Sequence, residues 1–467
     1  MSFSSSAEVF SWISRFINLE RGQRPKSFRL DRMKFLTEIA DHPERCAPSI
    51  HIAGSKGKGS VTGMLAAMLK AAGFRAARYM SPHVVDIRER ICLGDSYFSE
   101  DVYRTAGDEL REITEKRLPE AGNPLFDSKN ADGCEPTFWE LLTLCFFLCA
   151  KHGNCDVIIA ETGMGGRLDS TNVLDPLASV ITLIELEHTA FLGNTIAEVA
   201  GEKAGIIKTG KPLILAKQND EALEVFRKKA EEKNSPLLYL PEIAELSNVN
   251  VTRNGTDFTL AFKAELPLFS DPLDLSIPIP GKVQAENAAL AITALKTAFP
   301  QISEDAIRRG LENFFIPARF EKIAPSVQGD APPFIIDGAH TQESLALCVE
   351  TFCSLYGEGG VLIFGCAADK DASAMAKTAA PHFSKIIITT PGTFKTSNPD
   401  LVYEAFVNTA GSEKTVLVKD TQEAIRQTLD FARGKNLQGR NLQGRQLPIL
   451  GTGSFYLVSE IRKFISE

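Results

Sequence analysis

The run Gly54-Ser55-Lys56-Gly57-Lys58-Gly59-Ser60 gathers the residue types that hold phosphate. Glycines let the backbone turn tightly with its amides outward, a following helix adds its positive N-terminus, and a lysine neutralises the oxygens. Gly54, Gly57, Lys58, Gly59 and Ser60 are therefore candidate phosphate-binding residues, with the Ser60 hydroxyl placed to hold a magnesium ion. The spacing departs from the common pattern: Gly59 separates Lys58 from Ser60, and the leading glycine stands only three residues before Gly57. A flexible basic turn is the competing reading.

A second concentration begins at Glu161, which ends the apolar run 155–160 and opens Thr162-Gly163-Met164-Gly165-Gly166-Arg167-Leu168-Asp169. An acid delivered to the carboxyl edge of a buried strand offers oxygen to a hard cation bridging phosphates; a helix cap is the plainer role. After the next apolar run come Glu187 and His188, where an imidazole could serve a second ion, touch a nucleotide, or be a satisfied structural histidine. Lys203 falls inside an expected helix over 196–206, and spacing alone does not separate a salt bridge near metal from a modified ligand or a surface lysine. Gln284 and Asn287, three apart on one helix face, could bond a base or ribose, or serve a capping or intrahelical polar role. Arg319 could reach a phosphate across a closing cleft or form an ordinary salt bridge. Asp337-Gly338-Ala339-His340 and Asp369-Lys370-Asp371 each follow an apolar run, so that polar groups stand at strand ends in the second half of the chain as well. That arrangement implies a composite cleft, against the alternative of two solvated loops.

The elements that must carry these groups read as α/β. From Pro48 a short apolar strand, the glycine-rich turn and a helix with Val61, Met64, Leu65, Met68 and Leu69 on one face and Gly73 as its stop make one βα unit. A buried helix over 137–150 and strands over 157–160 and 178–185 continue the series. Between 236 and 280 the pattern changes to short β pieces, including 257–262, broken by Asn-Gly, Pro and Asp, which predicts a small antiparallel insertion before a helix over 284–296. A second βα series follows, with strands over 334–337, 361–364, 385–389 and 447–450. The expected architecture is thus a P-loop ATPase domain with a mostly parallel sheet over 1–316, carrying the β insertion near 236–280, and a second, Rossmann-like α/β domain over 317–467. Residues 119–136 read as a surface loop, and the tandem Asn-Leu-Gln-Gly-Arg copies at 436–440 and 441–445 as a loop expansion.

Composition sets the outer bounds. With 467 residues the chain is long enough for two domains, and 44% hydrophobic against 24% charged residues excludes a disordered or fibrous chain. Fifty-one basic against 59 acidic residues give a net charge of -8, which argues against nucleic acid as a partner. The nine cysteines form no CxxC or finger spacing and read as small buried hydrophobes in a reducing compartment. Neither a signal peptide nor a membrane span is indicated, so the expected location is cytoplasmic.

Taken together, these segments resemble one family, the folylpolyglutamate synthases and dihydrofolate synthases, within the superfamily of ATP-dependent amide ligases that includes the Mur enzymes. The matching stretches, in family order, are GSKGKGS at 54–60, Ser81-Pro82-His83 with Glu89-Arg90-Ile91, PTFWE at 136–140, ETGMGGRLDSTN at 161–172, EHTAFLGNT at 187–195, GEKAGIIK at 201–208, Gln284 to Asn287, PARFE at 317–321, DGAH at 337–340 and DKD at 369–371. The resemblance implies that a substrate carboxylate attacks the γ-phosphate of ATP, an acyl phosphate forms, and the amine of L-glutamate displaces phosphate to leave an amide on dihydropteroate, a reduced folate, or both. It implies that Lys58 and its loop hold the phosphates, that Ser60 and Glu161 ligate one Mg2+, and that His188 serves a second. Lys203 matches a lysine carbamylated in this family, and Asn287 and Arg319 match nucleotide contacts. Asp337 and His340 resemble the second-domain half of the site. Ser81, His83 and Arg90 resemble a mobile loop over the pterin side, with Ser81 near metal. Relatives of this type usually act as monomers.

Five positions depart from the family pattern: Val283 stands for a usual His, Thr341-Gln342 for Asn-Pro, Glu187 for Asp, and Lys56 for Asn. They leave Lys58, Glu161, His188 and Lys203 intact and point to altered nucleotide or acceptor geometry. Two other functions stay in play at this stage: a Mur-like ligase acting on another carboxylate, and a nucleotide-binding protein without ligase activity.

Overall fold

The structure is a computed structural model that describes residues 2–18, 29–126, 135–263, 268–323, 332–392, 396–434 and 446–466. Eight strands form the first sheet: β1 (Ser49–Ala53), β2 (Ala76–Tyr79), β3 (Ile91–Leu93), β4 (Ser96–Tyr97), β5 (Val157–Glu161), β6 (Ala178–Ile181), β7 (Leu213–Leu215) and β8 (Leu237–Tyr239). Their order is β4-β3-β2-β5-β1-β6-β7-β8, parallel from β2 to β8, with β3 and β4 turned back as an antiparallel edge. β1, β2, β5 and β6 are buried throughout, because helices cover both faces of a parallel sheet, and their near-continuous apolar composition follows from that.

The Lys58–Ala71 helix inserts Val61, Met64, Leu65, Met68 and Leu69 into one core, all fully buried. Beside it the Lys282–Ala298 helix carries an alanine-rich buried face, which allows the two helices to approach closely. On the other face the Phe138–His152 helix, capped by a reciprocal Thr137–Glu140 box, packs with the helices Ser6–Ile13, Leu30–Ile39 and Glu100–Glu112 around a second core.

The antiparallel insertion is a three-stranded sheet, β11-β10-β9, made of β9 (Ala244–Thr252), β10 (Gly255–Phe262) and β11 (Leu273–Ile277). It is smaller than the sequence reading had it, since 237–239 pairs with β7 as the edge of the main sheet. The strand expected over 178–185 stops at Ile181, because the Ser55 amide takes the Leu183 carbonyl at 2.8 Å and turns the segment beyond it toward the glycine-rich loop. Residues 119–136 are likewise not a plain loop: they hold part of the helix Leu118–Ala121 and a turn at Pro124–Phe126 whose Phe126 is buried, while 127–134 lie outside the described residues. The tandem repeat at 436–445 also lies outside them. Six cysteines are buried as expected, but Cys46 is exposed and Cys353 half-buried, and all eight described cysteines are unbridged.

A six-stranded sheet, β12-β13-β17-β14-β15-β16, forms the second unit from β12 (Glu321–Ile323), β13 (Phe334–Ile336), β14 (Gly360–Phe364), β15 (Phe383–Ile388), β16 (Thr415–Leu417) and β17 (Ile449–Thr452). All its pairings are parallel except β12 with β13. The chain thus has two α/β units with mixed, mostly parallel sheets. Among the described residues no helix is long and apolar enough to cross a membrane.

One buried group in β1 carries a stability prediction. His51 is fully buried with Nε2 2.7 Å from Thr171 Oγ1, and burial, aided by the Lys208 charge, pulls its pKa down to about 3. A histidine kept neutral in the fold binds its proton in the unfolded chain first, so stability is full above pH 6.5 and falls as pH drops toward 3. At pH 4.5 the loss is about 2–3 kcal/mol from this residue, at about 1.4 kcal/mol per pH unit. Urea unfolding at pH 7 and 4.5 checks it: His51→Gln should flatten the difference by that amount, and an unchanged pH slope would exclude His51 as the titrating group.

Candidate active site

The carboxyl ends of the neighbouring strands β5, β1 and β6 deliver Glu161, the glycine-rich loop and residues 183–188 to one edge of the first sheet. In the second sheet the neighbours β13, β17 and β14 end at Asp337, Gly453 and the approach to Asp369 in the same way. These two edges face each other across a cleft of about 1050 Å³. Ligand sites in open α/β sheets form at such carboxyl edges, where strand order reverses and loops diverge.

Gly54 and Gly57 shape the loop for different reasons. Gly54 has φ +146°, and a Cβ there would stand 1.8 Å from Thr182 Oγ1; Gly57 has φ +90°, and its Cβ would stand 2.4 Å from Asn287 Oδ1. A side chain at either place would push the loop off the sheet or off the Lys282–Ala298 helix. Asn287, itself held by Nδ2 donating to Gln284 Oε1 at 3.2 Å, is therefore packed on the turn. The Lys58 ammonium folds back to the Gly54 carbonyl at 2.8 Å. Lys203, from the Ile196–Ala204 helix, reaches the same oxygen at 2.8 Å and Glu187 Oε1 at 2.7 Å, and is 1% exposed.

This crowding governs the charges. Burial pulls the Lys203 ammonium down to about 8 against the opposing field of Glu187. Burial also opposes the charge on Glu187, but Lys58 and Lys203 together hold its carboxyl down at about 2. Glu161 is pushed up to about 7 by burial, with Lys58 and Arg319 pulling the other way, and its Oε2 is buried with no hydrogen-bond partner. His188, with φ +48°, is driven down to about 4 by burial and is neutral near pH 7.

From the second unit, Arg319 lies over the Phe455 ring at 4.5 Å and is flanked by Ala318 and Phe320 with φ +59° and +45°. Left-handed backbone at two non-glycine residues is costly and persists only where neighbours impose it. The clamp is Asp337: Oδ2 accepts from Phe320 N at 2.8 Å and Oδ1 from Ala339 N at 2.8 Å, while Gly338 N donates to Ala318 O at 3.0 Å. His340 Nδ1 donates to the Gly338 carbonyl at 2.8 Å, which fixes the proton on that nitrogen in the neutral ring. Burial lowers its pKa to about 3.

Of the residues singled out in the sequence, Gly57, Lys58, Gly59, Ser60, Ser81, Glu161, His188, Asn287, Arg319, Asp337 and His340 line this one cleft. Gly54 and Lys203 stand behind the wall. Arg90 is 1% exposed, donates from Nε to His83 Nδ1 at 2.8 Å and lies over the ring of Trp139 at 5.2 Å, so the pair braces the segment that follows Ser81, with Ser81 and Trp139 on the cleft itself. The Glu89 carboxylate accepts from the amides of Val84, Val85 and Asp86 and fastens the same segment. Asp369 and Lys370 line the cleft, whereas Asp371 caps the Ala372–Ala379 helix through Ala374 N at 2.9 Å. Asp169, in the glycine-rich stretch after Glu161, is spent on the amides of Gly163, Met164 and Thr171 and shapes that turn.

Sequence reading missed Arg32 and Phe455. Arg32 pairs with Glu140 at 3.0 Å in the cleft wall, and only Glu140, in the helix-capping PTFWE run, carried a signal. Phe455 has no local pattern that marks it as the surface beneath a cation.

Two domain families match the chain: the Mur ligase middle domain over residues 133–295, and the Mur ligase, glutamate ligase domain over 318–437. Dihydrofolate synthase/folylpolyglutamate synthase from Bacillus subtilis is 31% identical over 472 residues, covering 99% of each chain. Folylpolyglutamate synthase from Lacticaseibacillus casei is 29% identical over 437 residues, covering 92% of this chain and 93% of its own. Among solved structures, an FPGS in complex with AMPPCP and folate superposes with a TM-score of 0.77 at 26% identity, covering 98% and 99% of the two chains.

Proposed function

The chain belongs to the family of folylpolyglutamate synthases and dihydrofolate synthases, and from that premise we propose how its own residues perform the ligation. It is an ATP-dependent ligase that adds L-glutamate to dihydropteroate or a reduced folate through an acyl phosphate. The observation that carries the residue assignments is the convergence of Lys58, Glu161 and His188 from one sheet edge with Arg319 and His340 from the other in a single cleft.

In the first half-reaction a carboxylate oxygen of the pterin substrate attacks the γ-phosphorus, the bond to the β-phosphate oxygen breaks, and ADP leaves. In the second, the glutamate amine attacks the acyl carbon and phosphate departs as the amide forms, so no protein nucleophile is needed. The amides around Gly57 and the Lys58 ammonium neutralise charge on the transferred phosphoryl group, where positioning and electrostatics supply most of the acceleration. Arg319 adds a second cation from the opposite wall. Asp337, whose carboxylate oxygens each accept a backbone amide, serves by holding Arg319 in its strained turn.

Magnesium fits the donors present: Glu161 offers a buried oxygen that lacks a partner, Ser60 a hydroxyl in the first turn of the Lys58–Ala71 helix on the same cleft, and His188 a neutral ring. A cation held there by Ser60 and Glu161, with His188 serving a second, would screen the phosphate oxygens during transfer. Burial lowers the Lys203 ammonium to about 8, which makes the neutral amine accessible near pH 7. That neutral amine can add to CO2, releasing a proton and leaving a carbamate. The anion so formed lies next to Glu187, so carbamylation and cation binding should favour each other.

Arg319→Ala should lower turnover by about 10–150-fold, the equivalent of about 1.5–3 kcal/mol for a hydrogen bond to a charged group, with the thermal transition of the first unit unchanged. Unchanged turnover would remove Arg319 from phosphate binding. The assay that tests the whole reading is ADP release with Mg-ATP and L-glutamate, comparing dihydropteroate, a reduced monoglutamyl folate and no acceptor, with mass analysis of products. Release with both acceptors makes the enzyme bifunctional, and release with one names its single activity. Release with neither overturns the folate assignment in favour of another carboxylate.

A further inference from the structure

At the amino ends of β14 and β15, on the sheet edge opposite the cleft, three side chains of different chemistry converge. Cys353 Sγ, a Glu358 carboxylate oxygen and a ring nitrogen of His382 lie within 4.8 Å of one another. His382 Nδ1 is 3.1 Å from both oxygens of Glu358. The carboxylate thus faces the imidazole directly, with the thiol sulfur close to both.

The backbone fixes this arrangement. Cys353 sits in the last turn of the Gln342–Tyr356 helix, and the Gly357 amide donates to its carbonyl at 2.8 Å. The Gly359 amide donates to the His382 carbonyl at 2.9 Å, and Ser384 Oγ to the Gly359 carbonyl at 2.6 Å. Glu358 stands between Gly357 and Gly359, whose φ values of +86° and +83° let the chain turn back on both sides of it. Both neighbours of the carboxylate are therefore tied to the loop that bears it.

We propose that Cys353, Glu358 and His382 form a zinc-type site, taking one divalent transition-metal ion with water as the fourth ligand. A tetrahedral ion with bonds of about 2.0–2.3 Å places its donors roughly 3.3–3.8 Å apart. The Glu358–His382 spacing is already close to this, and Cys353 needs only a small side-chain adjustment. Sulfur, imidazole nitrogen and a single carboxylate match zinc or cobalt and exclude magnesium or calcium, which take oxygen. On binding, the S–H bond breaks and its proton goes to solvent, while the imidazole moves its proton from Nδ1 to Nε2. Thiolate and carboxylate then balance the ion's two charges. The site would brace the helix end against the start of β15, apart from the ligation chemistry.

Titration of the full-length protein with Co2+ under reducing conditions and without nucleotide tests this. One equivalent should give a thiolate-to-cobalt charge-transfer band with tetrahedral visible bands, displaced by Zn2+. Zn2+ should also raise the thermal midpoint. Cys353→Ser should abolish the band while keeping glutamate-dependent ADP release, and His382→Gln should weaken Zn2+ binding by more than the 10–100-fold typical of losing an outer-shell partner. Cys46→Ser, at an exposed cysteine elsewhere, should leave both intact. Absence of the band in the wild-type chain, or a band that survives in Cys353→Ser, would overturn the site.

Discussion

Lys58→Ala should reduce glutamate-dependent ADP release by at least about a hundredfold, the loss that follows removal of one preorganised donor facing developing charge. The expectation rests on position. Lys58 begins the helix that follows the glycine-rich turn, its ammonium is anchored on the Gly54 carbonyl, and its field acts on both Glu161 and Glu187. Without it, phosphate oxygens would enter a wall that keeps its carboxylates and loses its nearest cation. Because Lys203 also faces Glu187, the variant should still fold, and circular dichroism will separate lost chemistry from lost structure. Single-turnover formation of the acyl phosphate is the sharper measurement: if it proceeds at the wild-type rate in Lys58→Ala, the lysine does not serve phosphoryl transfer.

Lys203→Ala should lower kcat by about a hundredfold, as loss of a preorganised charged group at a phosphoryl-transfer site does. Removing one partner of a buried ion pair also costs stability, about 3–5 kcal/mol where the remaining charge has no other partner, and here Lys58 still faces Glu187, so kcat is to be compared below the thermal transition of the variant. The lysine's chemistry is a separate matter, because a carbamate at this position would place two oxygens beside Glu187 and the Gly54 carbonyl, where a cation must answer the added negative charge. Wild-type protein incubated with 13C-bicarbonate and Mg2+ should show a carbamate carbon signal that Lys203→Ala and Lys203→Arg both lack, together with activity that rises when CO2 is restored to depleted buffer. Full turnover in Lys203→Ala, or a labelled signal that persists in it, would end the carbamate assignment. The sign of the pH effect follows from the same side chain. Raising pH toward 8 deprotonates more of the amine, so at a fixed concentration of dissolved CO2 recovery after depletion should be faster at pH 8 than at pH 7.

Sequence alone determined the pieces whose physics is local. The glycine-rich turn reads as a phosphate loop because left-handed backbone and outward amides depend on residues next to each other, and the βα rhythm reads as a mostly parallel sheet because buried strands need continuous apolar runs. Glu161 was legible for the same reason, as an acid ending such a run. What only the tertiary structure decided depends on residues far apart in the chain. That Arg319 is aimed by Asp337 and supported by Phe455 needs the β12–β13 pairing and the turn after β17. His83 and Arg90 close on each other, an outcome their spacing did not signal. Likewise Lys58 and Lys203, 145 residues apart in sequence, meet on the one Gly54 carbonyl. Their shared oxygen exists because the loop after β1 and the Ile196–Ala204 helix pack on the same sheet edge. The pKa shifts of Lys203 and Glu161 come from that burial, which no run of neighbouring residues encodes.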